Sequence, residues 1–455
     1  MDQARVDTGG ANEGAASAKP IPKLKFNIVD QFRALADPLR IIAEAMREHG
    51  ETLEVPSPTG PMVMSGDPEV VKAIFTADHD PFGIPFQSQL GPFFGETSLI
   101  LTPGARHRQD RKLLAPPFHG ARMRAYGQTI IEITLRQAAK LIRGKTFKML
   151  DLTQSITLEV ILRAVFGVDD DDRLEEFREA VVELVAAMST PIITVFEFTR
   201  RELGGFGPWA RFRRASEALD ALLFEEMKKR RGHTEGREDI LSLMLDARYE
   251  DGQGMTEKEL RDQLHLLLFA GHDTTSTALA WAFYWVCRQP LEREKLMAEI
   301  DAMGDSPDPE TIVAQPYLDA FCQETLRIHP VAPNVARLLR KPFDLLGNTI
   351  PEGTVLTASI MMLHENEKLY PEPRTFRPER FLERKFSPYE FIPFGGGPRR
   401  CIGAAFAMYE LKIALATLLR RYQFRLVRDA PVQYTQRGLT MGPKGGIEMV
   451  LEGRR

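Results

Sequence analysis

Three short stretches of this chain combine residue types and spacings that can do chemistry. The first is FGGGPRRCIGAAFA, Phe394 to Ala407, where one of only three cysteines follows three glycines and a proline and precedes a run of good helix formers. Cys401 is therefore expected at a helix N-terminus, where unpaired N–H groups and the helix dipole favour an anion and lower a thiol pKa. The glycines let the backbone fold tightly around a sulfur and let a bulky planar ligand approach. No cysteine-protease or phosphatase signature surrounds Cys401 to supply the base a nucleophile needs. GGGPRR is not a phosphate loop either, since no G-x-x-x-x-G-K-[ST] is present. An inert buried cysteine or a thiolate metal ligand is what remains.

The second stretch is AGHDTTS, Ala270 to Ser276, inside a helix opened by the capping box Thr256 with Glu259 and running to about Gln289. Leu264, Leu267, Gly271, Thr274 and Ala278 lie three and four apart and form one face, small enough at its centre for a flat ring. Gly271 and two threonines weaken a helix interior. A threonine hydroxyl bonding back to the preceding turn can open the backbone ladder and admit water. Burying Asp273 without purpose is costly, which marks it for a role; His272 reads as structural. The third stretch, HRQDR, sets His107 and Arg111 four apart, where both can reach one anionic group, although such pairs are common on solvated helices.

The elements that must position these residues are mostly helical. Helical patterns fill Arg108 to Gly144, Leu152 to Phe166, Asp172 to Met188, Trp209 to Arg231, Pro316 to Ile328 and Gly403 to Tyr422, and DPLRIIAEAMREHG ends on Gly50. ETLEVPS and PMVMSG alternate as short strands, GNTIPEGTVLTASI reads as a hairpin, and the last residues alternate like strands. From Asp80 to Gly104 the chain is rich in Gly, Pro and Phe, which predicts a long irregular loop of functional character. No internal repeat and no linker stands out. The expected architecture is one domain, mainly α with a smaller β part, over 26–455, after a flexible tail over 1–25.

Bulk properties exclude several classes. The 59 Lys and Arg against 63 Asp and Glu give a formal charge of −4, with no global case for nucleic-acid binding. Cys287, Cys322 and Cys401 form no C-x-x-C pair, so a disulfide framework is not expected and a reducing, cytoplasmic setting fits. The N-terminus lacks the apolar core of a signal peptide. Val181 to Phe198 is too short and too charged for a transmembrane anchor.

FGGGPRRCIG resembles, at every defined position, the F-x-x-G-x-R-x-C-x-G signature of the cytochrome P-450 family of haem-thiolate monooxygenases. AGHDT is similar to that family's oxygen-activation motif, [AG]-G-x-[DE]-T. The resemblance implies the family's fold, with haem b between the long Asp-Thr helix and the cysteine loop. It makes Cys401 the axial iron ligand, whose thiolate favours O–O cleavage. Asp273 and Thr274 become the acid and alcohol that deliver protons to bound dioxygen. By the same carry-over Ala270, Gly271, Phe394 and Gly403 lie against the haem, and His107, Arg111, Arg337 and Arg399 meet its propionates. E-x-x-R pairs are common by chance, and Glu175 with Arg178 also fits. Order along the chain, ahead of PERF and the cysteine loop, selects Glu324 and Arg327, with Arg380 as third member of a buried charge network.

The resemblance further implies insertion of one oxygen atom from O2 into an organic substrate, with electrons from outside the chain. No G-x-G-x-x-G follows a strand, so no flavin or nicotinamide site is expected, and a separate ferredoxin or flavodoxin with its reductase is implied. Arg106, Arg108, Lys112, Arg122, Arg124 and Arg400 are candidates for steering such an acidic partner, against an ordinary solvated basic face. Family topology would line the substrate pocket with Phe82, Phe86, Phe93, Phe94, Phe196, Leu266, Phe269, Val331, Val335, Leu439 and Met441. Nearly all are apolar, which favours a hydrophobic small molecule such as a terpenoid, fatty acid or polyketide-like compound. A haem-thiolate peroxygenase or isomerase, or a non-enzymatic haem sensor, is the alternative; the acid-alcohol pair argues against each.

Overall fold

Prolines, glycines and capping side chains set the helix limits. A computed structural model of the chain describes residues 20–24, 38–57, 60–77, 82–167, 170–188, 200 and 204–455, without the side chains of 121 and 122. The Thr256 hydroxyl accepts from the Glu259 N–H and the Glu259 carboxylate from the Thr256 N–H, and this capping box opens a helix running from Glu257 to Arg288. Helices Met149–Phe166, Asp171–Met188, Pro208–Arg230, Pro316–Ile328 and Ala404–Arg421 lie within three residues of their expected limits. Trp281, Phe283, Leu415 and Leu418, all 0% exposed, belong to the core these helices share. The long helix runs through that core, packed on Met149–Phe166 along one side and on Ala404–Arg421 along another.

The helix expected over Arg108 to Gly144 is instead four pieces: Gly104–Leu114, a 3₁₀ turn Pro116–Phe118, Gly120–Ala125 and Gly127–Ala138. Pro116 and Pro117 carry no N–H to continue the ladder, and Gly120 adopts φ +64°. Of the loop expected over Asp80 to Gly104, residues 80 and 81 lie outside the described residues, and the rest contains a strand Phe82–Gly83 and a helix Gln87–Phe94.

Five strands form a mixed sheet in the order Thr52–Val55, Met62–Ser65, Val355–Ser359, Asn334–Leu339, Phe82–Gly83, parallel only between the second and third. All five residues of Val355–Ser359 are buried, as a central strand requires. That place in the sheet overturns the hairpin expected within GNTIPEGTVLTASI. Asn348–Ile350 pairs backward with Phe343–Leu345 instead, around a turn at Leu346 and Gly347 with positive φ. A second sheet joins Thr146–Lys148, Glu448–Arg454 and Tyr422–Leu426, and Tyr434–Arg437 with Thr440–Pro443 forms a hairpin. Of the tail expected over 1–25, residues 1–19 and 25 lie outside the described residues. Within that stretch the Pro22 carbonyl accepts from the Glu54 N–H and the Leu24 N–H donates to the Glu54 carbonyl. Among the described residues no helix is long and apolar enough to cross a membrane.

Candidate active site

The cysteine loop is a tight turn packed on a phenylalanine. The Cys401 N–H donates to the Phe394 carbonyl at 2.9 Å and the Gly395 N–H to the Ile392 carbonyl at 2.9 Å. Gly395 and Gly397 take φ +66° and +63°. A Cβ on Gly396 would fall 2.1 Å from the Phe75 ring, and one on Gly397 would fall 2.6 Å from the Phe75 carbonyl oxygen. Gly403 has an ordinary φ of −89°, and a Cβ there would meet no protein atom within 4 Å. The two kinds of glycine therefore predict different outcomes. Gly396→Ala should lower unfolding stability by about 1–3 kcal/mol through overpacking. Gly403→Ala should leave unfolding stability unchanged, measured by the denaturant midpoint. Equal destabilisation in the two variants would contradict this division.

Cys401 is accessible to solvent although protein surrounds it on most sides. Burial pushes its thiol up, and the Gly403 N–H, Arg111 and Arg400 only partly oppose this. The lowered thiol pKa expected of a helix N-terminus is thus outweighed by desolvation. A thiol held this way is a poor nucleophile, and a coordinated cation is what would shift it to thiolate.

Around the loop stand guanidiniums without counter-charges. Arg399 donates to the carbonyls of Thr102 at 2.6 Å and Ile100 at 3.5 Å, and Arg337 donates to its neighbour Ala336 at 2.9 Å. Burial and the nearby Arg399 push Arg337 down to about 10. Burial also lowers Arg111, against the raising influence of Cys401, with Arg400 lowering it further. None of the three has a carboxylate within ion-pair distance among the described residues. Three partly buried cations, each with its pKa lowered mainly by burial, make a site for an anionic group. His107, 4% exposed, lies one turn before Arg111 on Gly104–Leu114.

The long helix presents a narrow accessible stripe in an otherwise buried middle. Ala270 is exposed, and Leu266, Phe269, Gly271 and Thr274 are half-buried. The face expected from spacing is divided, because Leu264, Leu267 and Ala278 pack into the core. Gly271 also serves helix packing, since a Cβ there would lie 2.7 Å from Ile161. Beyond that contact, along the same pair of helices, Thr157 and Thr153 donate to the carbonyls of His272 (3.0 Å) and Ser276 (2.9 Å). The Thr274 hydroxyl donates back to the Ala270 carbonyl at 2.6 Å, yet the helix stays α-helical throughout, so no opened ladder accompanies it. Asp273 is 5% exposed and accepts from the Thr440 hydroxyl at 3.0 Å and Gln154 at 3.4 Å, with Arg437 4.0 Å away. His272 is buried and pushed down to about 4, mainly by burial against the pull of Asp273.

Asp262 and Gln263 tie this helix to the cysteine loop. Asp262 accepts from the Thr97 hydroxyl at 2.6 Å, and Gln263 bonds both the Leu99 N–H and the Thr97 carbonyl. The same segment gives Arg399 its acceptors at Ile100 and Thr102. Behind the loop, Glu324 receives Arg327 through two bonds of 2.7 and 2.8 Å and Arg380 at 3.3 Å, all three nearly fully buried. Arg327 also donates to the His364 carbonyl, and His364 Nε2 accepts from Ile392 N–H at the head of the cysteine loop.

The expected pocket residues do not all converge. Phe94 meets Phe269 with ring centres 5.2 Å apart, and Phe93 packs on Trp209 and Phe212. The Met441 N–H donates to the Val331 carbonyl at 2.8 Å, and Val335 lies against Gly395. Leu439 is 40% exposed. Phe86 is half-buried and enters its helix with φ +57°. Phe82, however, turns to Phe343 in the smaller core beside the mixed sheet, because it belongs to that sheet's edge strand. Phe196 lies outside the described residues.

The basic face is also partly consumed. Arg106 is held by Asp110, Glu259 and Tyr249, and Lys112 by Glu250. Arg108, Arg124 and Arg400 are exposed without an ion-pair partner among the described residues, and the side chain of Arg122 lies outside them. Sequence reasoning missed His265, His364, Thr440 and Arg437; each acts through a partner far away in the chain.

The chain matches the family model described as Cytochrome P450 over residues 20–448. It is similar to cytochrome P450 135B1 of Mycobacterium tuberculosis, 35% identical over 445 residues covering 96% of this chain and 92% of that protein. It is also similar to cytochrome P450 138 of the same organism, at 34% over 398 residues and 87% of each chain. Among solved structures, the haem domain of cytochrome P450DA superposes with a TM-score of 0.83 at 24% identity, over 96% of this chain and 98% of that one. Retinoic acid-bound cyanobacterial CYP120A1 gives a TM-score of 0.80 at 23% identity, over 90% and 93%. Matches of this extent, taking in both the cysteine loop and the long helix, establish that the chain belongs to the cytochrome P450 family of haem-thiolate monooxygenases.

Proposed function

We propose that this monooxygenase holds haem b through Cys401, acts on a hydrophobic organic substrate, and draws its electrons from a separate ferredoxin or flavodoxin with its reductase. The observation that carries the reading is the accessible Cys401 sulfur, with Arg111 acting on it and Arg399 and Arg337 grouped at its loop, three guanidiniums that lack carboxylate partners among the described residues. A dianionic porphyrin edge would supply what these arginines lack, and Arg111, Arg337 and Arg399, with His107, would hold it. The open side of Gly403 and the stripe at Ala270, Gly271 and Thr274 suit a flat ring between helix and loop, with Phe394 beside the ligand. Bound haem supplies dioxygen binding and reductive O–O cleavage, favoured by a thiolate donor.

The protein's own part is to place protons and exclude water. The Thr274 hydroxyl spends its proton on the Ala270 carbonyl, so its oxygen would stay an acceptor for a water on the stripe side. Asp273, pinned by Thr440 and Arg437, would return protons to that water from the C-terminal hairpin side. The aromatic lining at Phe93, Phe94 and Phe269 favours an apolar substrate. Exposed Arg108, Arg124 and Arg400 offer positive charge to an acidic electron donor.

The test is the absorption spectrum of the reduced, carbon-monoxide-bound protein, followed by turnover with ferredoxin and reductase against turnover with peroxide alone. A strongly red-shifted band and dependence on the protein donor are expected; peroxide-driven turnover of equal rate would favour a peroxygenase. Thr274→Ala should keep the spectrum and divert electrons into hydrogen peroxide, with severalfold less product per NAD(P)H consumed. Unchanged coupling in that variant would remove Thr274 from proton delivery.

A further inference from the structure

Helices Gln87–Phe94, Asp171–Met188, Pro208–Arg230 and Glu257–Arg288 meet around a small cavity of about 10 Å³, room for roughly one water-sized group. Nine of its ten lining side chains are apolar, Phe94 and Phe269 among them; the tenth is His265. The imidazole is thus the polar group in this wall that a ligand's hydroxyl could meet.

Its tautomer follows from its neighbours. His265 is 3% exposed, and its Nε2 lies 2.7 Å from Asp220 Oδ1. Burial acts to raise the Asp220 carboxyl, but bonds from His265 and from Arg261, at 2.7 and 2.9 Å, outweigh it and hold the group below its ordinary range. Asp220 is therefore a carboxylate and can only accept, so Nε2 carries the hydrogen. Burial also lowers the imidazole pKa, with Arg261 adding to the effect and Asp220 opposing it, so the ring is neutral at pH 7. Nδ1 is then a bare lone pair. It has no partner among the described residues, and it is not one of the buried polar atoms closed to solvent. The network behind it is rigid: Arg261 also bonds Asp262, which is fixed to Thr97.

We infer that Nδ1 of His265 accepts a hydrogen bond from a hydroxyl on the substrate, so that the enzyme takes an apolar skeleton already bearing one alcohol in preference to the parent hydrocarbon. This rests on the monooxygenase reading for what occupies the pocket, and not for the imidazole's tautomer. It makes His265 a specificity-determining residue and Asp220 the positioning residue behind it. The supplying reaction for such a substrate is one that leaves an alcohol on a hydrophobic chain or ring, such as hydrolysis of an ester or diphosphate.

The test uses haem-loaded protein labelled with ¹⁵N-histidine, reduced and bound to carbon monoxide, with farnesol and farnesene as matched probes. Nitrogen NMR should show His265, identified by its loss in His265→Phe, protonated on Nε2 and bare on Nδ1. Farnesol and not farnesene should shift the Nδ1 resonance. By optical titration, His265→Phe should lower the farnesol-over-farnesene preference about tenfold, the worth of one buried hydrogen bond. Asp220→Asn, which can donate to Nε2 and so reverse the tautomer, should lower it while the imidazole remains. A proton on Nδ1, equal responses to both probes, an unchanged preference in His265→Phe, or no binding of either probe overturns the inference. The same sample's thiolate band separates the two readings: its absence refutes haem-thiolate ligation, whereas its presence with any of those outcomes refutes only the role of His265.

Discussion

Cys401→Ala should yield a folded protein with no strongly red-shifted band in the reduced, carbon-monoxide-bound state and no turnover with any electron donor. The loop does not depend on the sulfur for its shape. Its turn is closed by the Cys401 N–H to Phe394 carbonyl bond and seated by Gly396 and Gly397 against Phe75, contacts the substitution leaves in place. The side chain is exposed, so its loss opens no core cavity, and the haem-free protein should keep its unfolding midpoint within about 0.5 kcal/mol. Neither other cysteine can take over. Cys322 is fully buried with its thiol pushed far up, and Cys287 is pushed up to about 11 by burial and directed at the Phe424 carbonyl. Absorption spectra alongside circular dichroism decide the matter: a band surviving in folded Cys401→Ala protein would place the iron ligand elsewhere.

The features readable in the sequence were those carried by local chemistry. Thr256 with Glu259 fixes a helix start through two reciprocal bonds within one turn, and Pro316 begins its helix because the first position needs no N–H. The cysteine loop was readable for the same reason, its glycines and cysteine lying within one turn of chain. What failed was decided by distant partners. Val355–Ser359 looks like half of a hairpin until the buried sheet claims it, and Phe82 looks like pocket lining until its strand pairs with Leu339.

The long helix shows a further limit. A helix surrounded by other helices is apolar nearly all round, so spacing identifies faces without saying which one is covered. The small and apolar positions Leu264, Leu267 and Ala278 went to the core, and the accessible stripe fell on Leu266, Phe269, Ala270 and Thr274. Polar partners were still less legible. Nothing local links His265 to Asp220, Asp273 to Thr440, or Arg327 to His364, yet each pair is joined by a bond or a short chain of bonds across tens of residues. Charge counting overrated Arg106 as a docking group for the same reason, since Asp110, Tyr249 and Glu259 already engage it.

Glu324→Ala should be the most destabilising substitution in the chain outside the cysteine loop, because it removes the one acceptor shared by two buried cations. Arg327 would lose both of its ion-pair bonds, Arg380 its one carboxylate partner among the described residues, and the Arg377 N–H its acceptor at 2.9 Å. Uncompensated charge in the interior costs about 3–5 kcal/mol, a large part of a typical domain's stability. Among the described residues Arg380 has three other acceptors, the carbonyls of Pro371, Glu372 and Thr375, whereas Arg327 keeps only the His364 carbonyl. Arg327 is therefore the group that drives the loss, and Glu324→Leu combined with Arg327→Met should recover much of it by removing the charge along with its partner. Denaturant midpoints measure both effects. Haem retention should fall with them, since Arg327 and His364 connect the network to Ile392 at the head of the cysteine loop. A Glu324→Ala protein with a near-native midpoint, or a double variant no more stable than the single one, would show that the pairing between Glu324 and Arg327 does not govern the stability of this region.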